Sequence, residues 1–105
     1  TLVKLPAAPI PQFDAAARYG ACTGPAALRA PDNSLDMGTG FDCFDGRSHT
    51  ASGAITPEQK RARATLNAAM RQHGFKNYFR EWWHFTYAVP DARAYDFPIG
   101  PRTAR

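Results

Sequence analysis

The chain has 105 residues and a formal charge of +4 at neutral pH, with arginine supplying most of its thirteen cationic side chains. That length holds one small domain and excludes two, and it buries only about two-thirds of the unfolded surface, so the domain is marginal unless something staples it. No apolar run approaches the roughly 20 residues a membrane-spanning helix needs, and no basic-then-apolar signal opens the chain.

In chain order, Leu2, Val3 and Leu5 suggest a short buried strand, stopped by the breakers of PAAPIP. The chain lacks an initiating Met, so Thr1 is expected not to be the biological beginning. Residues 13 to 40 mix small residues with Gly, Pro, Asp and Asn and keep no period. They read as a surface excursion, uncommon at that length unless functional or anchored. Cys22 and Cys43 are the two cysteines, and their spacing fits no zinc knuckle. In a reducing compartment they are unrelated thiols. In an oxidising one they close a loop of about 20 residues, worth roughly 3 kcal/mol. The disulfide is the favoured reading.

The clearest element lies in ITPEQKRARATLNAAMRQHGF. Thr56 suits the N-cap, Pro57 the first helical position, and Gln59 completes a capping box. Ala62, Leu66, Ala69, Met70 and His73 form an apolar stripe, while Lys60, Arg61, Arg63 and Arg71 fall mostly on other faces. Gly74 is placed to end a helix of about 17 residues in the left-handed conformation. His73, in the last turn, suits a capping or surface role. FKNYFREWWHFTYAV then reads as two strands or one bent strand. In the irregular tail, Tyr95, Phe97 and Ile99 are candidate anchors. One helix with a short antiparallel sheet packed on it indicates an α+β domain spanning 1-105.

The basic charge invites nucleic acid, but it reads as a solvated face, since no RNP, zinc-finger or helix-turn-helix pattern accompanies it. The chemistry concentrates in EWWHF, Glu81 to Phe85. A Glu and a His three apart point to opposite faces of a regular strand, so a shared site there needs a bulge, twist or turn. The plain reading is a salt-bridged polar pair. The functional one gives His84 to a zinc ion and makes Glu81 the general base toward activated water, with tryptophan walls. A catalytic zinc takes three protein ligands as a rule, and His49 and His73 are poor candidates. The sequence looks incomplete for its own chemistry.

MGTGFDCFDGRSHT, the helix ending HGF, EWWHF and the closing YDFPI together resemble the VanX-like D-alanyl-D-alanine dipeptidases. These are zinc enzymes of the LAS metallopeptidase (DD-peptidase-like) fold. The resemblance runs from Thr1 to about Ile99. It implies zinc as cofactor, His84 as a zinc ligand, Glu81 as catalytic base, and Asp42 as the carboxylate that holds the substrate's ammonium. Asp45, Arg47, Ser48 and His49 are expected only to shape the loop. The family's other two ligands, a His and an Asp, and its transition-state Arg lie in a segment preceding TLV. The chain is therefore expected to be the C-terminal portion of the domain, active only with an N-terminal fragment as partner. Its expected substrate is D-Ala-D-Ala, with no nucleic acid and no membrane as partner. The segment around Cys22 is similar to that of periplasmic relatives, which implies a periplasmic location. The alternatives are a related peptidoglycan D,D-carboxypeptidase or endopeptidase, or a non-catalytic fragment that binds cell-wall peptide.

Overall fold

The structure is a computed structural model and describes residues 1–100. Its one α-helix, α1 (Pro57–Gln72), starts where local chemistry places it. Thr56 Oγ1 accepts from the Gln59 N–H, and Gln59 Oε1 accepts from the Thr56 N–H, so two otherwise unpaired donors are satisfied reciprocally. Gly74 ends it at φ +87°. A Cβ there would sit 3.0 Å from the Tyr87 ring, so both backbone angle and space require glycine.

Just past the helix, β1 (Phe75–Asn77) pairs antiparallel with β2 (Phe85–Tyr87), in the register Phe75↔Tyr87, Lys76↔Thr86 and Asn77↔Phe85. Phe75 and Tyr87, directly opposite, bring their rings to 5.2 Å. The helix packs alongside β1, which gives the small α+β arrangement expected. Within EWWHF only Phe85 is strand, opening β2; Glu81 to His84 are not. Those four residues lie in the hairpin's turn, where the His84 N–H bonds the Glu81 carbonyl and the Tyr78 N–H bonds the His84 carbonyl.

The core is Met37, Leu66 and Trp82, with Leu2, Ala62, Met70, Trp83 and Phe85 packed around it. Met37 comes from the end of the excursion, so that segment is not wholly surface: Met37, Gly38 and Thr39 are buried. The Cys22–Cys43 disulfide is present, with the Cα atoms 5.7 Å apart, and it ties the excursion back beside the core.

Three expectations need correction. Leu2, Val3 and Leu5 do not form a buried strand. Val3 makes a single antiparallel bridge to Ser34, and Leu5 is 80% exposed. Tyr95, Phe97 and Ile99 are exposed rather than anchoring, the Tyr95 and Phe97 rings meeting only each other, at 6.2 Å, among the described ring pairs. Arg63 is 2% exposed, not on an outer face. Its guanidinium satisfies three backbone carbonyls and so joins the helix to the loop before it.

The chain exposes 8670 Å², against about 5,800 Å² for a folded monomer of its 11.5 kDa mass. Its radius of gyration is 17.0 Å, where a compact domain of this length has about 13 Å. Both ends contribute, since residues 3 to 18 and 86 to 100 are almost entirely exposed.

Candidate active site

Two segments converge on the hairpin turn. The first is the loop 37–49, which carries Asp42. Its entry is Gly38 at φ +96°, where a Cβ would fall 2.8 Å from the Ile55 side chain. Its far end is a short 3-10 turn, Gly46–Ser48, capped by Asp45 Oδ1, which accepts from the Arg47 N–H at 2.8 Å. Both ends are clasped by Arg63. Its Nε donates to the Met37 carbonyl at 2.7 Å, Nη1 to His49 at 2.7 Å and Nη2 to Arg47 at 2.9 Å. Burial pushes the Arg63 pKa down to about 10, with the Asp36 charge opposing. The side chain therefore remains a cation at neutral pH and its five donors stay available.

The second segment is the turn itself. Trp82 Nε1 donates to Thr39 Oγ1 at 2.9 Å, Thr39 Oγ1 and Ser48 Oγ stand 3.0 Å apart, and Ser48 Oγ donates to the Cys43 carbonyl at 2.6 Å. An indole N–H only donates and a carbonyl only accepts, while each hydroxyl has one proton. With Ser48 donating to Cys43, the chain runs Trp82 to Thr39 to Ser48 to Cys43, and the Thr39 hydroxyl has the Gly40 carbonyl, also at 3.0 Å, as a second acceptor. The Trp82 backbone N–H donates separately to the Ser48 carbonyl at 3.1 Å. Outside this buried chain, the Phe41 and Trp83 rings meet at 5.7 Å. The loop holding Asp42 and the turn holding Glu81 and His84 are thus fixed to one another through residues that touch neither acid.

Glu81 and His84 come together. His84 Nδ1 lies 2.8 Å from Glu81 Oε2, with the side chains 48% and 20% exposed respectively. The turn resolves the facing problem that a regular strand would have posed. The carboxylate holds one ring nitrogen, while Nε2 makes no hydrogen bond among the described residues. Such a carboxylate–imidazole pair orients the ring and raises its basicity as a ligand. Tyr78 adds a ring contact to His84 at 5.3 Å.

Asp42 is exposed and sits at φ +59°, a conformation few non-glycine residues adopt. No hydrogen bond or ion pair joins it to Glu81 or His84 among the described residues. The cleft beside Glu81, about 370 Å³, is lined by Phe44, Asp45, His49, Tyr78 and Arg80 rather than by Asp42. His73 is an exposed C-cap, far from this chemistry in role. Among the described residues no group of three or more His, Cys, Asp or Glu side chains could hold a metal ion.

Sequence reasoning missed Thr39, Arg63 and Asp36 as supports. Asp36 accepts from Arg29, Gln59 and the Gly38 N–H. Only its place two residues before an obligate glycine hinted at a turn-forming role.

A family model described as Peptidase_M15, D-ala-D-ala dipeptidase, matches residues 20–99. The D-alanyl-D-alanine dipeptidase of Escherichia coli (strain K12) is 44% identical over 63 residues, which cover 60% of this chain and 32% of that protein. The enzyme of the same name from Enterococcus faecium is 38% identical over 67 residues, 62% of this chain and 33% of that protein. The one from Streptomyces coelicolor is 36% identical over 66 residues, 60% of this chain and 32% of that protein. In each case the alignment spans only about a third of the curated relative's length.

Proposed function

The chain belongs to the D-ala-D-ala dipeptidase family, and on that premise we propose that it is part of a zinc peptidase hydrolysing D-alanyl-D-alanine to two D-alanines. The family is one of metallopeptidases, which fits a metal cofactor. The observation that carries the reading is the Glu81–His84 pair, held at 2.8 Å on a braced turn inside the matched span.

The donor chemistry fits zinc in part. An imidazole oriented by a carboxylate is a common zinc ligand, but one imidazole does not hold a catalytic ion that takes three. His84 would supply one ligand, and the rest come from polypeptide outside these residues, the proposed N-terminal portion of an LAS-type fold. When bound, zinc supplies polarisation of the scissile carbonyl and acidification of water.

The chain's own residues do the remainder. Glu81, mostly sheltered, accepts the water's proton and delivers it to the leaving amine. Asp42 pairs with the substrate's free ammonium, which restricts cleavage to one residue from that end and disfavours extended peptides. The strained backbone at Asp42 supports this role, since such outliers concentrate at functional sites. The ring against His84 is Tyr78, at 5.3 Å, while Trp82 is turned into the core. The disulfide beside Asp42 suits an oxidising compartment, and we place the protein in the periplasm.

The test is metal analysis of the complete polypeptide together with release of free D-alanine from the dipeptide. About one zinc per molecule and turnover that stops on chelation are expected. A protein without stoichiometric metal, or with tripeptide cleaved as fast as dipeptide, contradicts the reading.

A further inference from the structure

The excursion folds around a cavity of about 200 Å³. Met37, Thr39 and Trp82, all buried, form its inner wall, and Ala26, Ala27 and Leu35 line it further out. Thr39 and Trp82 belong to the polar chain that joins the Asp42 loop to the hairpin turn. The cavity shares no lining residue with the cleft beside Glu81, so it is a separate space.

Arg29 lines this cavity with its side chain only 10% exposed. A guanidinium carries five N–H donors. Among the described residues only Nη2 meets an acceptor, Asp36 Oδ1 at 2.7 Å, and Nε is buried with none. A cation so far removed from water and met at one point is costly, and its unused donors call for a partner. Asp36 cannot grip it with both oxygens, because Oδ1 also takes the Gly38 N–H and Oδ2 takes the Gln59 amide. The other charge in the lining is Asp32. Its Oδ1 accepts from the Ser34 N–H, and its Oδ2 has no hydrogen bond among the described residues.

We propose that this cavity binds a small neutral amino acid as its zwitterion, with the carboxylate on the unused donors of Arg29 and the ammonium on Asp32. Charge decides the class. A simple anion would face Asp32 and Asp36 as well as the arginine, and a simple cation would face the arginine, whereas a zwitterion makes a charge-assisted hydrogen bond at each end. Volume decides the size, since about 200 Å³ lies below the roughly 300 Å³ at which pockets for drug-sized ligands begin. Ala26, Ala27 and Leu35 offer the ligand's side chain apolar contact and no polar partner, so that side chain is small and apolar. D-alanine, the product of the proposed reaction, has this chemistry. The inference rests on the proposed reading only in naming D-alanine as the ligand at hand; the class of ligand follows from the cavity.

The experiment is an NMR titration of the complete protein with D-alanine, read at the Arg29 Nε–H and at the Ala27 and Leu35 methyls. It has no activity readout, so its failure is separate from that of the dipeptidase reading. These signals should shift and saturate, with half-saturation on the order of 1 mM for so small a ligand. Acetate and ethylamine each carry one half of the zwitterion and should bind at least about tenfold more weakly. Arg29→Gln should weaken D-alanine binding at least about tenfold. Because that variant also loses the bond to Asp36, a second one, Ala27→Leu, fills the cavity while leaving that bond in place, and it should abolish the shift. Signals that move only at Glu81 and His84, where product would sit at the catalytic pair, overturn the proposal. So does acetate binding as tightly as D-alanine, or unchanged affinity in both variants.

Discussion

Trp82 Nε1 donates to Thr39 Oγ1 at 2.9 Å across 43 positions of sequence. This bond opens the buried chain that ends on the Cys43 carbonyl, one residue from Asp42. The hairpin turn and the Asp42 loop are thereby positioned together by groups that take no part in chemistry. Thr39→Val keeps the volume but removes both the acceptor for the indole and the donor to Ser48. It should cost about 2 kcal/mol, the penalty of leaving buried polar groups unpaired. Thr39→Ser should recover most of that in a denaturation midpoint.

Arg63 is the second brace. Arg63→Met fills the volume but strands three carbonyls, and should cost about 3 kcal/mol or more. Arg63→Lys should rescue little, because one ammonium cannot span three acceptors arranged around a planar fork. Urea unfolding of the three proteins measures this, and a lysine variant as stable as the parent would contradict the clasp.

Asp36 sets an acid limit. Burial alone raises its pKa, but hydrogen bonds from Gln59, the Gly38 N–H and Arg29 outweigh it and hold it below the ordinary 3.8. With the folded pKa depressed, this stability is present above pH 3.8 and is lost as pH falls through the folded value. The stability gap between the parent and Asp36→Asn should therefore be constant near neutrality and shrink below pH 3.8. A gap that widens on acidification would reverse the assigned sign.

The legible parts of this molecule are those whose cause is local. Thr56, Gln59 and Gly74 fix the helix ends from within a few residues, so its limits could be read directly. The cysteine pair was legible as the chain's only covalent option. The turn at Glu81 to His84 was not, because dense aromatics carry the strand signal whether or not the backbone extends. What decides the matter is the His84 carbonyl closing onto Tyr78. Arg63 was hidden for a related reason. A charged residue at a helical position reads as solvent-facing, and its partners are carbonyls 14 to 26 residues away, which leave no side-chain signature. The pairing of Glu81 with His84 was legible as a possibility, conditional on a turn. The cleft lining was not, since Asp45 and His49 reach it through a 3-10 turn whose pitch the sequence does not announce.

Asp42 offers a specificity test. Asp42→Asn in the complete protein should lower kcat/KM for D-Ala-D-Ala by about a hundredfold, the scale of a lost ion pair once the rest of the polypeptide covers this exposed carboxylate. Its effect on an N-acylated analogue, which has no ammonium, should be much smaller. Equal losses on both substrates would reduce Asp42 to a support of its loop.

The most direct measurement compares zinc content and dipeptide turnover in the complete protein and its Glu81→Ala variant. In zinc-replete buffer zinc should stay bound, with affinity weakened by about 10–100-fold through the lost contact to His84, while kcat falls by about 10²–10⁴, the contribution of a positioned base. Near-normal turnover in the variant would contradict the account at its centre.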